Sequence, residues 1–202
     1  MLNNNYYFLA NGGEMGELTR AKDWSKTAIG AVESWPQSLR TTIGILLNSK
    51  FPMFLFWGPD HICFYNDAYR PSLGNDGKHP SILGEKGADF WPEIWDFIKP
   101  LIDQVLTKGE ATWHEDQLLP IYRNGHMEDV YWTFSYSPVN DDDGKINGVL
   151  VICNETTNQV NIHKKLEESN VRSLNNILQA PNAMCIFRGP EYTIEIANKL
   201  ML

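Results

Sequence analysis

The sequence contains few cysteines, no signal peptide and no long hydrophobic run. Its three cysteines, Cys63, Cys153 and Cys185, include no CxxC pair. This spacing suits neither a disulfide framework nor a zinc site, and it indicates reduced thiols in a reducing compartment. The longest apolar runs, 51–57 and 148–153, are far shorter than the ~20 residues that span a bilayer. Because a basic segment followed by a long apolar one is also missing at the start, we expect a cytoplasmic protein.

Basic residues are in the minority. The chain has 17 Lys and Arg against 25 Asp and Glu, which gives a net charge of −8. A negative surface repels phosphate backbones and anionic lipids, so we predict neither a nucleic-acid partner nor a membrane partner. Hydrophobic residues make up 43% of the chain, enough for a globular core. A length of 202 residues predicts one full domain and a remainder.

Motifs for catalysis are also missing, since no P-loop, GxSxG or Rossmann glycine pattern occurs. The densest polar cluster is the segment 113–116. In a regular strand His114 and Asp116 share one face, where they could act as an acid and base pair. With His126 and Glu128 from a neighbouring strand they could also bind a metal ion. Two ligands from one strand are too few for such a site, and we predict no metal.

The N-terminal quarter predicts one amphipathic helix. Residues 1–16 read as a loose arm within an N-terminal extension, 1–35. Ser34 is a plausible N-cap, and Pro36 suits a first helical turn. A helix over about 36–50 follows, with one buried stripe. Its apolar positions are Leu39, Ile43, Leu46 and Leu47.

The middle of the chain predicts an α+β domain with a five-stranded antiparallel sheet and its helices between strands 2 and 3. The long helix begins at Pro92, and Pro100 inside it predicts a kink or a break. Hairpin turns Asn124-Gly125 and Asp143-Gly144 separate the last strands. Strand 148–153 is apolar throughout, which predicts that both faces of the sheet are covered, one by the helices between 66 and 108 and the other by the N-terminal helix or a partner subunit. The predicted strands are 51–57, 62–65, 112–122, 128–137 and 145–155.

The last quarter predicts a linker helix and the start of a repeat. A helical pattern extends over 158–178. Residues 182–198 then repeat the order found in 52–66, namely strand, Gly-Pro-acid turn, strand and Asn. We therefore expect 179–202 to be the truncated start of a second domain in a longer tandem protein.

Several segments resemble PAS domains, most closely the N-terminal PAS of bacterial multi-PAS sensor histidine kinases. The resemblance covers roughly residues 14–157 and implies a PAS domain over 36–157. It implies a signal-sensing module in a two-component phosphorelay, which is not itself an enzyme although its parent is a kinase. The segments that carry the resemblance are Phe64-Tyr65-Asn66-Asp67-Ala68-Tyr69, Tyr136–Val139, Gly148–Val151, Glu155-Thr156-Thr157, Asp23–Thr27, Trp35–Arg40, Trp91–Trp95 and Trp132–Pro138.

The resemblance also implies a ligand pocket for an unknown small molecule, because the matching positions of PAS strands face the helices and any ligand. The alternative is that these side chains simply fill the core. Haem is disfavoured because the helix 92–108 lacks the His that haem-binding PAS domains use. A photoreactive flavin is disfavoured because 74–90 lacks the reactive Cys. The candidate pocket residues are Trp91, Trp95, His114, Trp132, Phe134, Tyr136, Val151 and Cys153.

The linker helix predicts a homodimer, because a helix so polar in its first half is not stable alone in water. Two rival functions stay open at this point. One is a ligand-free scaffold that only sets dimer geometry, and the other is a small enzyme that uses His114 and Asp116. The residues predicted to carry the dimer contact and the output are Leu166, Val171, Leu174 and Leu178.

Overall fold

The computed structural model describes residues 4–75 and 78–202, and the chain divides into two units. The first unit ends at Thr157 and the second comprises Asn158–Leu202. The helices are α1 (Gly13–Ala21), α2 (Gln37–Asn48), α3 (Gly87–Phe90), α4 (Trp95–Lys108) and α5 (Thr157–Leu178), with 3-10 turns at Asn4–Leu9, Trp24–Lys26, Val32–Ser34 and Arg70–Leu73. The strands are β1 (Met53–Trp57), β2 (Ile62–Tyr65), β3 (Thr112–Arg123), β4 (His126–Asn140), β5 (Ile146–Glu155), β6 (Cys185–Arg188) and β7 (Thr193–Ala197).

The predicted α+β architecture is confirmed. Strands β1 to β5 form one antiparallel sheet in the order β2-β1-β5-β4-β3, with α3 and α4 between β2 and β3 in sequence. Successive side chains of a strand alternate between the two faces of the sheet. The inner face therefore carries Trp132, Phe134 and Tyr136 of β4, all of which are buried.

The N-terminal segment covers part of the outer face, so the prediction of a loose arm over 1–16 is wrong for its described part. Phe8, Leu9 and Met15 are almost fully buried. Further along the same segment, Trp24 stacks on Phe64 of β2 with ring centroids 4.9 Å apart. The error has a physical cause, because these few apolar residues have no periodicity and are buried only when the sheet is present.

Helix α2 confirms the predicted helix, but its cap comes from elsewhere. Ser34 lies in a 3-10 turn, and its hydroxyl donates to the carbonyl of Ala31. The first free amides of α2, those of Gln37 and Ser38, donate instead to the two carboxylate oxygens of Asp142, each at 2.8 Å. Asp142 lies in the turn between β4 and β5, so only the folded chain brings this cap into place.

We expect Asp142→Ala to lower the melting temperature by about 2–4 °C at neutral pH, as for other lost N-caps. The amides of Ser38 and Gln37 hold the pKa of Asp142 below its ordinary value. A depressed pKa means that this stabilisation is present above the ordinary pKa and is lost as the pH falls through the lowered one. Thermal unfolding in neutral and acidic buffer measures this stabilisation, and the neighbouring Asp143→Ala is the control. Equal melting temperatures for the two variants at neutral pH would contradict the cap.

Helix α4 differs from the prediction at its start and shows no break at Pro100, whereas the predicted kink stays untested. It begins at Trp95 instead of Pro92, and it runs without a break through Pro100. Proline removes one backbone hydrogen bond, but Ile98 and Ile102 on the buried side of the helix are packed in the core. Tertiary packing thus outweighs the local cost.

Coverage of the sheet is incomplete at β5. Val149, Val151 and Cys153 are buried on the inner face, and Leu150 is half-buried. Ile152 is 39% exposed on the outer face, so the chain by itself does not cover this part of the strand, and coverage by a partner subunit stays a prediction. Helix α2 contacts β2 and β4 but leaves Ile152 uncovered.

The second unit contains most of α5 and the hairpin β6–β7, in which Cys185 pairs with Ala197. No side chain of α5 is buried. Among the helices that the structure describes, none is both long enough and apolar enough to cross a membrane.

Candidate functional site

The inner face of the sheet forms one wall of a cavity. The alternation of β4 directs Trp132, Phe134 and Tyr136 to this face. Antiparallel pairing places Val151 of β5 beside Tyr136, and Cys153 beside Phe134. These five side chains therefore lie together because two neighbouring strands run in register.

The opposite wall comes from α4 and from the segment after β2. The cavity between these walls has a volume of about 50 Å³. All of its lining side chains are apolar or neutral. They are Tyr69, Ile94, Ile98, Leu119, Ile121, Trp132, Phe134, Tyr136, Val151 and Cys153.

The polar atoms of this cavity are neutral. Burial raises the pKa of Tyr136 and that of Tyr69, and it raises the pKa of Cys153 to about 12. The indole nitrogen of Trp132 is buried and has no acceptor among the described residues. Since the indole N–H is a donor only, one of the side chains that line the cavity carries a buried hydrogen-bond donor without an acceptor.

The volume limits what the cavity can hold in this conformation. A water molecule occupies about 30 Å³ in the liquid, whereas pockets for drug-sized ligands measure about 300–1,000 Å³. The cavity therefore has room only for a very small molecule. A larger ligand requires movement of the lining side chains.

Five of the eight predicted pocket residues line the cavity, and Trp91, Trp95 and His114 do not. Trp91 packs on Phe54, and the ammonium of Lys78 lies 4.0 Å from its ring centroid. Trp95 contacts the rings of Phe56 and His61 at centroid distances of 6.4 and 5.9 Å. The ring of His114 stacks on Phe134 at 5.0 Å.

His114 and Asp116 are not brought together, which removes the geometric basis for an acid and base pair. A β-bulge shifts the register of β3 between His114 and Gln117. Asp116 has a positive φ of 47°, and its backbone amide donates to the hydroxyl of Thr133 at 3.1 Å. His114 contacts the inner-facing Phe134, whereas Thr133 belongs to the outer face, because neighbours on a strand alternate. The expectation that they share a face is wrong because the bulge inserts one residue.

Half of the lining residues were absent from the sequence prediction. Ile94 and Ile98 belong to the apolar stripe of the predicted helix 92–108, which could have identified them, although the observed helix begins after Ile94. Leu119 and Ile121 alternate along β3 after the bulge, and a strand register without the bulge would misplace them. The fifth is Tyr69, which lies in the PAS-like segment 64–69 but outside any regular strand.

The junction between the sheet and α5 lies beside the cavity. Glu155, at the end of β5, pairs in register with Trp132. The amide of Thr156 donates to the carbonyl of Tyr131 at 2.8 Å, and the amide of Tyr131 donates to the hydroxyl of Thr157 at 3.0 Å. The first residue of α5 is thus hydrogen-bonded to the neighbour of a cavity residue.

Arg123 completes this junction. Its two terminal nitrogens donate to both carboxylate oxygens of Glu155, at 2.9 and 3.0 Å, and Nε donates to Glu128 at 2.9 Å. These hydrogen bonds, led by those to Glu155, raise the pKa of Arg123 against the effect of burial. A bidentate pair of this kind has a defined geometry, so it orients the end of β5 from which α5 departs.

Metal ligation is not suggested by the arrangement of side chains. Across residues 4–75 and 78–202, no group of three or more His, Cys, Asp or Glu side chains is placed to hold an ion.

Comparison with known proteins identifies a family. A family model described as PAS fold matches residues 53–161, more than half of the chain. Solved structures with similar folds include a sensory box sensor histidine kinase from Vibrio cholerae, with 20% identity, a TM-score of 0.41, and coverage of 52% of this chain and 81% of that one. An RNA-binding light-oxygen-voltage receptor is 19% identical with a TM-score of 0.44, and the match covers 62% of this chain and 34% of the receptor chain. The protein of a phage VqmA–DPO complex is 21% identical with a TM-score of 0.48, and the match covers 69% of this chain and 61% of that protein. This chain thus spans less than two thirds of the length of the last two proteins.

Proposed function

The chain belongs to the PAS family, and we propose that its first unit is a sensory module that binds a small neutral molecule in the cavity. The observation that carries this proposal is the unpaired indole N–H of Trp132. A buried donor without an acceptor costs free energy, and a ligand or water that accepts this hydrogen bond removes the cost.

The chemistry of the lining defines the class of ligand. No ionised side chain lines the cavity, so a charged ligand would be buried without a counter-charge, which is strongly unfavourable. The indole N–H requires an acceptor, and the hydroxyls of Tyr69 and Tyr136 can each donate or accept. We therefore propose small neutral ketones, amides or ethers, with haem and photoreactive flavin still disfavoured on sequence grounds.

The proposed output begins at the junction. A ligand hydrogen-bonded to Trp132 would shift β4, and Tyr131 and Glu155 are its nearest connections to α5. Packed elements switch between discrete arrangements instead of deforming continuously. A small displacement at Trp132 would therefore reach α5 through the hydrogen bonds of Tyr131 and the ion pair of Arg123.

We expect Arg123→Met to increase hydrogen exchange of the first α5 amides about tenfold, because a charge-assisted bidentate pair is lost. Exchange measured by NMR on residues 157–162 tests this, with Lys145→Met as the exposed control. The side chain of Arg123 is only 11% exposed, so a change in its packing must be separated from the ion pair. Glu155→Gln, which keeps the shape but removes the charge, should give a smaller effect in the same direction. Unchanged exchange in both variants would contradict a role in positioning α5.

Dimerisation through α5 is part of the proposal. The apolar side chains along the helix remain exposed, and isolated helices are marginal in water. At 3.6 residues per turn, Leu166 and Val171 are about 140° apart around the helix, so the four residues predicted from the sequence do not form a single stripe. Ile162 and Leu166, one turn apart and 67% and 57% exposed, form the proposed contact. Leu174 and Leu178 have another candidate partner within the chain, the hairpin β6–β7.

The parent protein is proposed to be a sensor histidine kinase in which this chain is a non-catalytic input module. The resemblance noted in the sequence supports that proposal. The ligand-free scaffold is the rival, and it predicts a cavity that binds nothing and a dimer that does not respond to small molecules.

Native mass spectrometry of the purified chain tests the ligand. We expect bound small neutral molecules, either retained from expression or added as a panel of ketones, amides and ethers. Cys153→Met, which fills the cavity, should abolish binding. Trp132→Phe, which removes only the donor, should weaken it about tenfold, as for one lost hydrogen bond in a buried site. Trp113→Phe, at an exposed tryptophan of the same sheet, is the control. Absence of binding throughout the panel would favour the scaffold.

A further inference from the structure

Asn66 connects the end of helix α2 to the start of strand β1. Its Oδ1 accepts from the amide of Met53 at 3.1 Å. Its Nδ2 donates to the carbonyls of Ser49 and Phe51, at 3.2 and 2.8 Å, and to that of Leu46 at 3.1 Å. Asn66 is fully buried. One side-chain amide thus fixes how the chain passes from α2 into the sheet.

Asn198 repeats this arrangement in the second unit. Its Oδ1 accepts from the amide of Met184 at 3.0 Å, and its Nδ2 donates to the carbonyls of Ala180 and Asn182 at 3.3 and 2.7 Å. Its own amide donates to the carbonyl of Met184 at 3.0 Å. Within 158–202, all of which the structure describes, Asn198 is the one buried residue.

The two networks align the repeats residue by residue. Their matching partners are 49 and 180, 51 and 182, and 53 and 184, and each pair is separated by the same 131 positions. The hairpin of the second unit is one residue longer, so Asn66 matches Asn198 after 132 positions. Helix α2 is therefore the counterpart of the last turns of α5.

The apolar face of α2 is conserved in position under this alignment. Ile43, Leu46 and Leu47 of α2 are buried and match Leu174, Ile177 and Leu178 of α5. Ile45, which is exposed on α2, matches the polar Asn176. The pattern of apolar and polar positions therefore agrees over these two turns, although Leu174 and Leu178 are 40% and 49% exposed.

The hairpins carry matching apolar pairs. Leu55 and Phe64 are register partners in β1 and β2, and both are buried. Their counterparts, Ile186 and Ile196, are register partners in β6 and β7. Phe64 faces the N-terminal segment on the outer face, where it stacks on Trp24. The same side of β6–β7 therefore presents two isoleucines towards the side on which a helix equivalent to α2 belongs.

We infer that the last two turns of α5 are the cap helix of the second repeat, in which Leu174, Ile177 and Leu178 pack towards the Ile186–Ile196 side of the hairpin. The output helix of the first unit is thereby also a structural part of the second. Asn198 is the positioning residue that couples them. This packing involves α5 and the hairpin only, and it does not depend on whether the cavity binds a ligand.

This assignment divides α5 between two partners. The side chains before Leu174 stay available for a second copy of the chain, whereas Leu174, Ile177 and Leu178 face the hairpin of the same chain. A movement of α5 would then reach β6 through the short segment 179–184, whose backbone is held by the hydrogen bonds of Asn198.

Hydrogen exchange of the β6–β7 amides in the full chain, together with sedimentation, tests the inference. Leu174→Glu with Leu178→Glu should increase hairpin exchange at least tenfold and leave the oligomeric state unchanged, because a packing partner is lost. Asn198→Ala should increase the exchange of the Met184 amide about tenfold. Asn176→Glu, on the exposed side of the same turns, is the matched control and should change neither.

Two results would overturn the inference. One is dissociation of a dimer by the Leu174 and Leu178 changes while hairpin exchange stays normal, which would place both residues in the contact between chains. The other is unchanged hydrogen exchange of the β6–β7 amides both in the Leu174→Glu and Leu178→Glu double variant and in Asn198→Ala. Ile177→Ala, a milder change, repeats the measurement if the glutamates unfold the second unit. Failure of the ligand or dimer proposals would leave these exchange results unaffected.

Discussion

Replacing Trp132 with alanine is expected to lower the free energy of unfolding by about 3–5 kcal/mol, the usual range for emptying a large aromatic site. Trp132 is 4% exposed and lies between the sheet and α4. The neighbouring cavity adds to the space that the lost indole leaves. The surrounding side chains can therefore fill little of that space, which keeps the loss of stability large. Urea unfolding followed by circular dichroism measures the change.

Lys145→Ala is the control for this measurement, because Lys145 is exposed in the turn before β5 and exposed substitutions have small effects. A midpoint shift for Trp132→Ala no larger than the control would show that the 132–136 face does not point into the core. Trp132→Phe should be much less destabilising than Trp132→Ala, because it keeps most of the buried apolar area and removes an unpaired donor. That contrast separates the packing role of the ring from the binding role of its N–H.

Introducing glutamate at both Ile162 and Leu166 is expected to weaken self-association of the chain by about a hundredfold. Four unpaired charges would enter the contact between two α5 helices, and buried charges without partners are strongly destabilising. Sedimentation velocity over a concentration series measures the shift from dimer to monomer. Asn161→Glu with Asn175→Glu, on the opposite side of α5, adds the same charge and should leave the dimer intact.

Two outcomes would contradict the proposed dimer contact. An unchanged dimer in the Ile162 and Leu166 variant would place the interface elsewhere, for example on the outer face of the sheet, where Ile152 and Trp113 are exposed. A monomeric parent chain would remove the dimer from the proposal. Neither outcome affects the cavity, because none of its lining residues lies in α5.

Periodicity in the sequence was sufficient to predict the helices and strands, but it did not predict the β-bulge in β3 or the unbroken helix at Pro100. The alternation of Trp132, Phe134 and Tyr136 predicted the inner face correctly, because side-chain direction in a strand follows from position alone. The bulge at His114 to Gln117 has no marker in the sequence, and it separated two residues that simple alternation placed together. Pro100 shows the converse case, in which a strong local signal for a break was outweighed by packing.

The sequence by itself determined the α+β class, the strand order along the chain, the family and the internal repeat, because these depend on local patterns. Only the tertiary structure decided the cap of α2 by Asp142, the burial of the N-terminal segment, and the positions of Tyr69, Ile94 and Leu119 in the lining of the cavity. It also decided the ion pair of Arg123 with Glu155. The physical reason is shared, since each of these contacts joins residues far apart in the chain, and such contacts form only when the sheet brings them together.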